Sequence, residues 1–279
     1  MVDINSMREK FRIQDIIKYF KFKYDFKRNN PTYFDPDGLI IFTGAQGTGK
    51  TLSAVNYVYQ LLETYPRSKI VTNLALKDYP IIEFKTFLKR RYRHVYELLI
   101  DGQLRAEEND YYWQLYLAEN KCFPFRNNDD FKLYENYEEG VIFLIDEIQL
   151  YFNSLESKNI NLDTLNFFSQ QRKGRRHVVA TSQVFGRLAK GVREQFSCVV
   201  SCKSYFGCIQ FNRLLDRDSS DENADNLHLK GTVKARFWYV RTPKMFSRYD
   251  TYAIIDRNKF ISEEERKGEI YATDRDNPV

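Results

Sequence analysis

Eight consecutive residues have the types and spacing that wrap a polyphosphate. They are Gly44-Ala45-Gln46-Gly47-Thr48-Gly49-Lys50-Thr51, the pattern G-x-x-x-x-G-K-[ST]. The glycines let the backbone curl so that successive N–H groups point inward at phosphate oxygens. Lys50 is placed to reach the β- and γ-phosphates, and the Thr51 hydroxyl to ligate Mg²⁺. Leu52 opens the helix whose positive N-terminal end faces the same anion. An ordinary glycine-rich strand–helix turn is the bland alternative. Against it, the apolar run Leu39 to Thr43, the loop, the Lys-Thr pair and the helical pattern Leu52 to Leu62 all fall in register. The reading is a nucleoside triphosphate site, with ATP and Mg²⁺ as its ligands.

Two further stretches supply the groups that hydrolysis needs. Val141-Ile142-Phe143-Leu144-Ile145 is an apolar strand that ends in Asp146-Glu147. At such a strand end the first acid holds Mg²⁺, usually through water. The adjacent Glu147 suits polarisation of an attacking water. His177-Val178-Val179-Ala180-Thr181 is another apolar run, ending in Ser182-Gln183. Gln183 there can sense the γ-phosphate or orient water; the alternative is a loop glutamine with no role. A small-molecule kinase would call for a substrate lid and no carboxylate beside Asp146, so the pattern favours an ATPase.

These groups need an open parallel sheet, whose ligands bind at the carboxyl ends of its strands. Strands are predicted at 39–43, 69–74, 141–145, 177–181 and 198–202, with helices over 50–64 and 162–171. The expected fold class is α/β: a P-loop core of the ASCE type, mostly parallel, with a helical insertion and a C-terminal β-hairpin. The expected organisation is a basic helical extension over 1–37, the ATPase domain over 38–255 and a charged tail over 256–279. The insertion spans 85–140, with one helix from Phe84 to Ile100 and a second from Tyr111 to Glu119. The hairpin pairs Cys208 to Leu215 with Val233 to Arg241 around a polar, acidic tip, Asp216 to Asn226.

The remaining charge is less specific. Met7 to Arg28 reads as a basic, aromatic helix, expected to pack on the core with its lysines solvated. Contact with nucleic acid, a membrane surface or a neighbouring subunit is the alternative. Lys89, Arg90 and Arg91 could touch phosphates, or line a solvated helix face. Arg172, Arg175 and Arg176 follow a helix end where Gly174 is the expected C-cap. A formal net charge of +5 permits nucleic acid without diagnosing it. Cys122, Cys198, Cys202 and Cys208 form no CxxC pair, and three histidines leave few ligands for zinc. The expectation is buried, reduced thiols in a cytosolic protein. No stretch approaches the ~20 apolar residues of a membrane span, and no secretory leader is evident.

The combination GAQGTGKT, KIVTNL, FLIDEIQ and QQRKGRRHVVATSQ resembles the zonular occludens toxin-like proteins, assembly ATPases of filamentous phages related to the FtsK/HerA translocases. The late YDTY stretch is similar to the end of their ATPase domain. The resemblance covers residues 38–255. It implies a RecA-like core, often assembled as a homo-oligomeric ring, that couples ATP hydrolysis to moving or extruding phage DNA. It makes Gln183 the polar sensor, and Arg172, Arg175 or Arg176 a finger across a subunit boundary. The filamentous-phage members carry a membrane span after the ATPase domain, and this sequence shows none. The expectation therefore moves to a viral motor that packages or translocates DNA, working with a capsid or assembly complex. It would act in the host cytoplasm, transiently at a capsid vertex or membrane assembly site. Filamentous-phage-type extrusion and a nucleotide-dependent assembly scaffold are the alternatives.

Overall fold

The structure is a computed structural model that describes residues 13–31, 33–36, 38–155, 160, 162–216 and 230–250. Eight strands make one sheet: β1 (Ile40–Thr43), β2 (Lys69–Thr72), β3 (Cys122–Pro124), β4 (Val141–Ile145), β5 (Arg176–Ser182), β6 (Cys198–Tyr205), β7 (Ile209–Leu215) and β8 (Val233–Val240). Their order is β3-β2-β4-β5-β1-β6-β7-β8. The six strands from β3 to β6 are parallel, and β7 and β8 are antiparallel additions. This is the RecA-like P-loop arrangement: β5 stands between β1 and β4, so the phosphate-loop strand and the acidic strand are next-but-one neighbours.

Strands buried on both faces must be apolar throughout, and β4 (VIFLI) is buried at every position. Helix α2 (Lys50–Thr64) covers one face with Leu52, Val55, Val58 and Leu62 against Phe42, Ile70, Leu144 and Val179. The other face holds an aromatic layer. Phe131 packs on Phe143, Phe152, Phe167 and Phe168, with ring centroids 4.5 to 6.1 Å apart. Fully burying a side chain of this size stabilises by ~1.5–3 kcal/mol, so this layer contributes strongly to holding β4 against the helix Leu162–Gln170.

The insertion is not wholly helical. The expected first helix divides at Tyr92 into α3 (Phe84–Arg91) and α4 (Arg93–Ile100), followed by α5 (Ala106–Glu119). The chain then returns to the sheet as β3, parallel to β2. The three helices are thus the crossover of a parallel β-α-β unit. A three-residue strand containing proline is hard to foresee, and it is tolerated here because β3 is an edge.

The N-terminal helix α1 (Ile13–Asn29) corrects another expectation. It buries none of its residues. Ile13, Ile17, Phe20 and Phe22 are each more than 60% exposed, so the helix is not packed on the core. Its aromatics at 19, 20, 22, 24 and 26 run around the helix rather than along one stripe, so no single face suits a core. The following segment does the docking: Phe34 is buried beneath Gly140, and Tyr33 meets Phe26 edge-on at 4.9 Å.

Two smaller expectations need adjustment. Arg175, at φ 52°, takes the left-handed position after the helix Leu162–Gln170, rather than Gly174. Cys122 and Cys202 are buried, but Cys198 is partly exposed and Cys208 exposed. The hairpin forms as expected, although 217–229 of its tip, the residues after Asp250 and those before Ile13 lie outside the described residues. Among the described residues no helix is long and apolar enough to cross a membrane.

Candidate functional site

The phosphate loop leaves β1 and enters α2. Gly47 (φ 78°) and Gly49 (φ 80°) hold the left-handed backbone that the curl requires. Thr48 closes the loop, its N–H and hydroxyl both donating to the Ala45 carbonyl, at 3.3 and 2.7 Å. Gly49 is the N-cap of α2 and no side chain caps it. The first N–H groups of the helix therefore remain available to an anion.

The acidic strand end reaches the same place. The Thr51 hydroxyl donates to Asp146 Oδ1 at 2.9 Å, and the Thr181 hydroxyl donates to the same oxygen at 2.5 Å. Lys50 Nζ lies 3.2 Å from Glu147 Oε1. The Gln183 amide reaches that oxygen at 3.5 Å, and the Gln149 amide donates to Glu147 Oε2. The residues expected from the sequence to act together, Lys50, Thr51, Asp146, Glu147 and Gln183, thus form one cluster at the carboxyl edge of the sheet.

Its backbone is held under constraint. Glu147 has φ 50°, a conformation costly for a residue with a side chain and found where the surroundings over-determine it. The surroundings are identifiable. Asn73, just past β2, donates to the Asp146 carbonyl and accepts the Asp146 N–H, both at 2.9 Å. Thr181 Oγ1 accepts the Glu147 N–H at 2.9 Å. Neighbouring strands therefore clamp the turn between the two acids.

Burial pushes the Asp146 carboxyl above the usual carboxylate range. The Glu147 charge pushes the same way, while hydrogen bonds from Thr181 and Thr51 and the charge of Lys50 oppose it. A carboxylate this buried calls for a cation. The Thr51 hydroxyl and Asp146 carboxylate, side by side, are the hard oxygen donors Mg²⁺ accepts, with phosphates and water completing its shell. Among the described residues no group of three or more His, Cys, Asp or Glu offers an all-protein cage. The donor set fits Mg²⁺ held jointly with a triphosphate.

The arginines of the 172–176 run lie elsewhere. They precede and open β5, at the amino edge of the sheet, away from the phosphate loop. Arg172 pairs with Asp35 at 3.4 Å and is 80% exposed. Arg175 stacks on Tyr33, 3.5 Å from the ring centroid, and Arg176 pairs with Glu135 at 2.7 Å. Lys89, Arg90 and Arg91 are exposed on the last turn of α3, and Arg91 pairs with Glu119.

Residues 38–253 match the family model described as zonular occludens toxin (Zot). The chain belongs to this family. Among solved structures, the N-terminal domain of zonular occludens toxin from Neisseria meningitidis is similar at 14% identity and TM-score 0.45, over 76% of this chain and 98% of that one. The genome packaging NTPase B204 from Sulfolobus turreted icosahedral virus 2, in complex with AMPPCP, shows 12% identity and TM-score 0.41 over 61% and 78%. The flagellar accessory protein FlaH from Methanocaldococcus jannaschii shows 15% identity and TM-score 0.36 over 69% and 84%. No curated protein matches.

Sequence reasoning missed the residues that hold this Zot-family site in shape. Asn73 carried a signal, a polar amide directly after the buried strand KIVT. Thr181 and Gln149 carried little, since a threonine ending a strand and a glutamine after an acid are common.

Proposed function

We propose that this chain is an ATP-hydrolysing motor of virion assembly that translocates or packages viral DNA. One observation carries the reading. Glu147 stands at a strained turn beside an Asp146–Thr51 metal position, with both its oxygens engaged by Lys50, Gln183 and Gln149. Membership of the Zot family supports a role in phage assembly.

In this reading the loop N–H groups and Lys50 bind the phosphates of ATP. Thr51 and Asp146 would hold Mg²⁺, which would supply charge neutralisation to the phosphates. An arriving triphosphate competes for Lys50 and frees Glu147 to accept a proton from the attacking water. Gln183, already within reach of Glu147, keeps the carboxylate aimed and reports the γ-phosphate. Of the three candidate arginines, Arg172 is held only by a solvent-exposed pair with Asp35, while Arg175 stacks on Tyr33 and Arg176 is largely buried against Glu135, so Arg172 is the one proposed to reach a neighbouring subunit in a homo-oligomer or ring. Lys89, Arg90 and Arg91, exposed on α3, are the proposed DNA-facing cations; Arg175 and Arg176 would join them only by giving up Tyr33 and Glu135.

The test is hydrolysis by wild type and Glu147→Gln, with and without single- and double-stranded DNA. The expected result is DNA-stimulated hydrolysis in wild type and loss of turnover with retained ATP binding in the variant. Wild-type turnover by Glu147→Gln would reject the mechanism.

A nucleotide-dependent assembly scaffold is the second reading, favoured by α1. A basic helix with Ile13, Ile17, Phe20 and Phe22 exposed suits docking better than catalysis. ATP-dependent strand movement separates the two, since a scaffold produces none.

A further inference from the structure

A second group approaches the phosphate loop, from the hairpin side. β7 begins and β8 ends at the carboxyl edge of the sheet, so Gln210 and Arg241 stand on the same edge as Lys50. They lie on the β6 flank of β1, opposite the β4–β5 flank that carries Asp146, Glu147 and Gln183.

A buried polar network ties this flank to the loop. Gln210 and Asn212 are fully buried. The Gln210 amide donates to the Thr48 carbonyl at 3.1 Å and to Asn212 Oδ1 at 2.7 Å. The Asn212 amide donates to Ser53 Oγ at 3.1 Å, and Ser53 Oγ shares a hydrogen bond with the Tyr239 hydroxyl at 2.9 Å. A buried amide left unpaired loses its hydration with nothing in return, so the arrangement holds only as a whole. Gln210 Oε1 in turn accepts two bonds from Arg241, from Nε at 3.0 Å and Nη2 at 2.6 Å.

The guanidinium is therefore aimed. A methyl group added at Gly49 would overlap both Arg241 and the Gln210 amide, so the cation rests directly against the loop glycine before Lys50. Its partners are neutral oxygens, Gln210 Oε1 and the Gly207 carbonyl at 3.5 Å. Among the described residues no carboxylate pairs with it. A preorganised, unneutralised guanidinium beside a phosphate loop is suited to phosphate oxygens.

We propose that Arg241 binds the nucleotide from within the same chain, contacting the α- and β-phosphate segment, with Gln210 as its positioning residue. The acids, Gln183 and the metal position mark the γ-phosphate end on the far flank, which leaves the inner phosphates to Arg241. This rests on the ATP-site reading above.

The experiment titrates full-length wild type, Arg241→Ala, Arg241→Lys, Gln210→Ala and Lys50→Ala with ADP and with ATP. Unfolding of each nucleotide-free variant is measured alongside. Arg241→Ala is expected to weaken ADP and ATP alike by ~10-fold or more, the loss typical of one charge-assisted contact. Most of its loss in kcat/KM should fall in KM, Arg241→Lys should recover part of the affinity, and Gln210→Ala should weaken both nucleotides by a smaller factor. If Arg241→Ala is unfolded, Arg241→Gln is read in its place. Wild-type affinity for both nucleotides in the charge-removing variant overturns the inference. So does a kcat collapse with ADP affinity intact, which would put Arg241 on the γ-phosphate. Unchanged binding by Lys50→Ala would instead defeat the ATP-site reading itself.

Discussion

The two edges of the parallel sheet both carry dense charge and use it in opposite ways. At the carboxyl edge Lys50, Asp146 and Glu147 face one another, and Lys50 and Asp146 are buried. At the amino edge Arg172 is exposed, Arg175 partly exposed and Arg176 largely buried, balanced by Asp35, the ring of Tyr33 and Glu135. In sequence the two runs, IDE and RKGRR, look equally rich. Their difference comes from strand direction. Loops at the carboxyl ends converge on a bound ligand, while those at the amino ends return the chain to solvent. Charge at the first edge can act on something held inside the chain. Charge at the second can act only on another molecule.

The largest effect expected from this contrast is at Glu147. Glu147→Gln keeps the side-chain shape and its contact with the loop but removes the proton acceptor. Turnover should fall by ~10²-fold or more, the usual weight of a positioned general base. Binding of ATP should persist, because Lys50 loses its carboxylate partner and becomes more available to phosphate. Equal losses of binding and turnover would mean that the carboxyl edge is a structural knot rather than a reacting centre.

The amino half of the same sheet yields a stability effect instead. Burial lowers the pKa of His177, in β5, from 6.5 to about 4. The native state therefore holds it neutral, and the unfolded chain binds the extra proton first. Stability from this residue is complete above pH 6.5 and is lost as pH falls from 6.5 to 4. At full extent the loss is ~3 kcal/mol, since one pKa unit corresponds to ~1.36 kcal/mol. Urea unfolding at pH 7.5 and pH 5 should show ~2 kcal/mol of it. His177→Gln should flatten that slope whatever it does to absolute stability; an unchanged slope would assign the acid sensitivity elsewhere.

Asn73 tests how the carboxyl edge is held. Asn73→Ala removes both hydrogen bonds to the Asp146 backbone inside a buried turn. Leaving a buried group unpaired costs ~1–3 kcal/mol, so unfolding should report a loss near ~2 kcal/mol. Turnover should drop more than ADP affinity, because the turn carries Glu147 but not the phosphate loop. A stability loss with wild-type kcat would show that the Glu147 backbone does not depend on this clamp.

The parts of this design that were legible in the sequence share a cause. The phosphate loop needs its glycines wherever it occurs, and strands buried on both faces must be unbroken apolar runs, so GAQGTGKT and VIFLI could be read directly. Position at strand ends then placed Asp146, Glu147 and Gln183 together. The illegible parts depend on contacts distant in sequence. Asn73 matters because β2 lies beside β4, and Arg241 because β8 ends at the loop's edge. β3 escaped because three residues carry no periodicity. α1 misled because abundant apolar side chains suggest a core even when they are spread around the helix.

The smallest effect on the isolated chain is expected at Arg172, and it probes the outward-facing edge most directly. Its ion pair with Asp35 is solvent-exposed, and such pairs contribute ~0–1 kcal/mol. Arg172→Ala should therefore leave the unfolding midpoint nearly unchanged. If Arg172 acts on a neighbouring subunit's nucleotide, the variant should lose turnover only through the assembly. Mixing Arg172→Ala chains with Lys50→Ala chains should then restore part of the activity. In a mixed contact the Lys50→Ala chain supplies an intact arginine to a partner whose phosphate loop is intact. Full activity of Arg172→Ala alone would confine the amino edge to stability and solubility, leaving all the chemistry to the opposite edge. Lost activity without recovery on mixing would place the effect of Arg172 within its own chain, against the separation of the two edges.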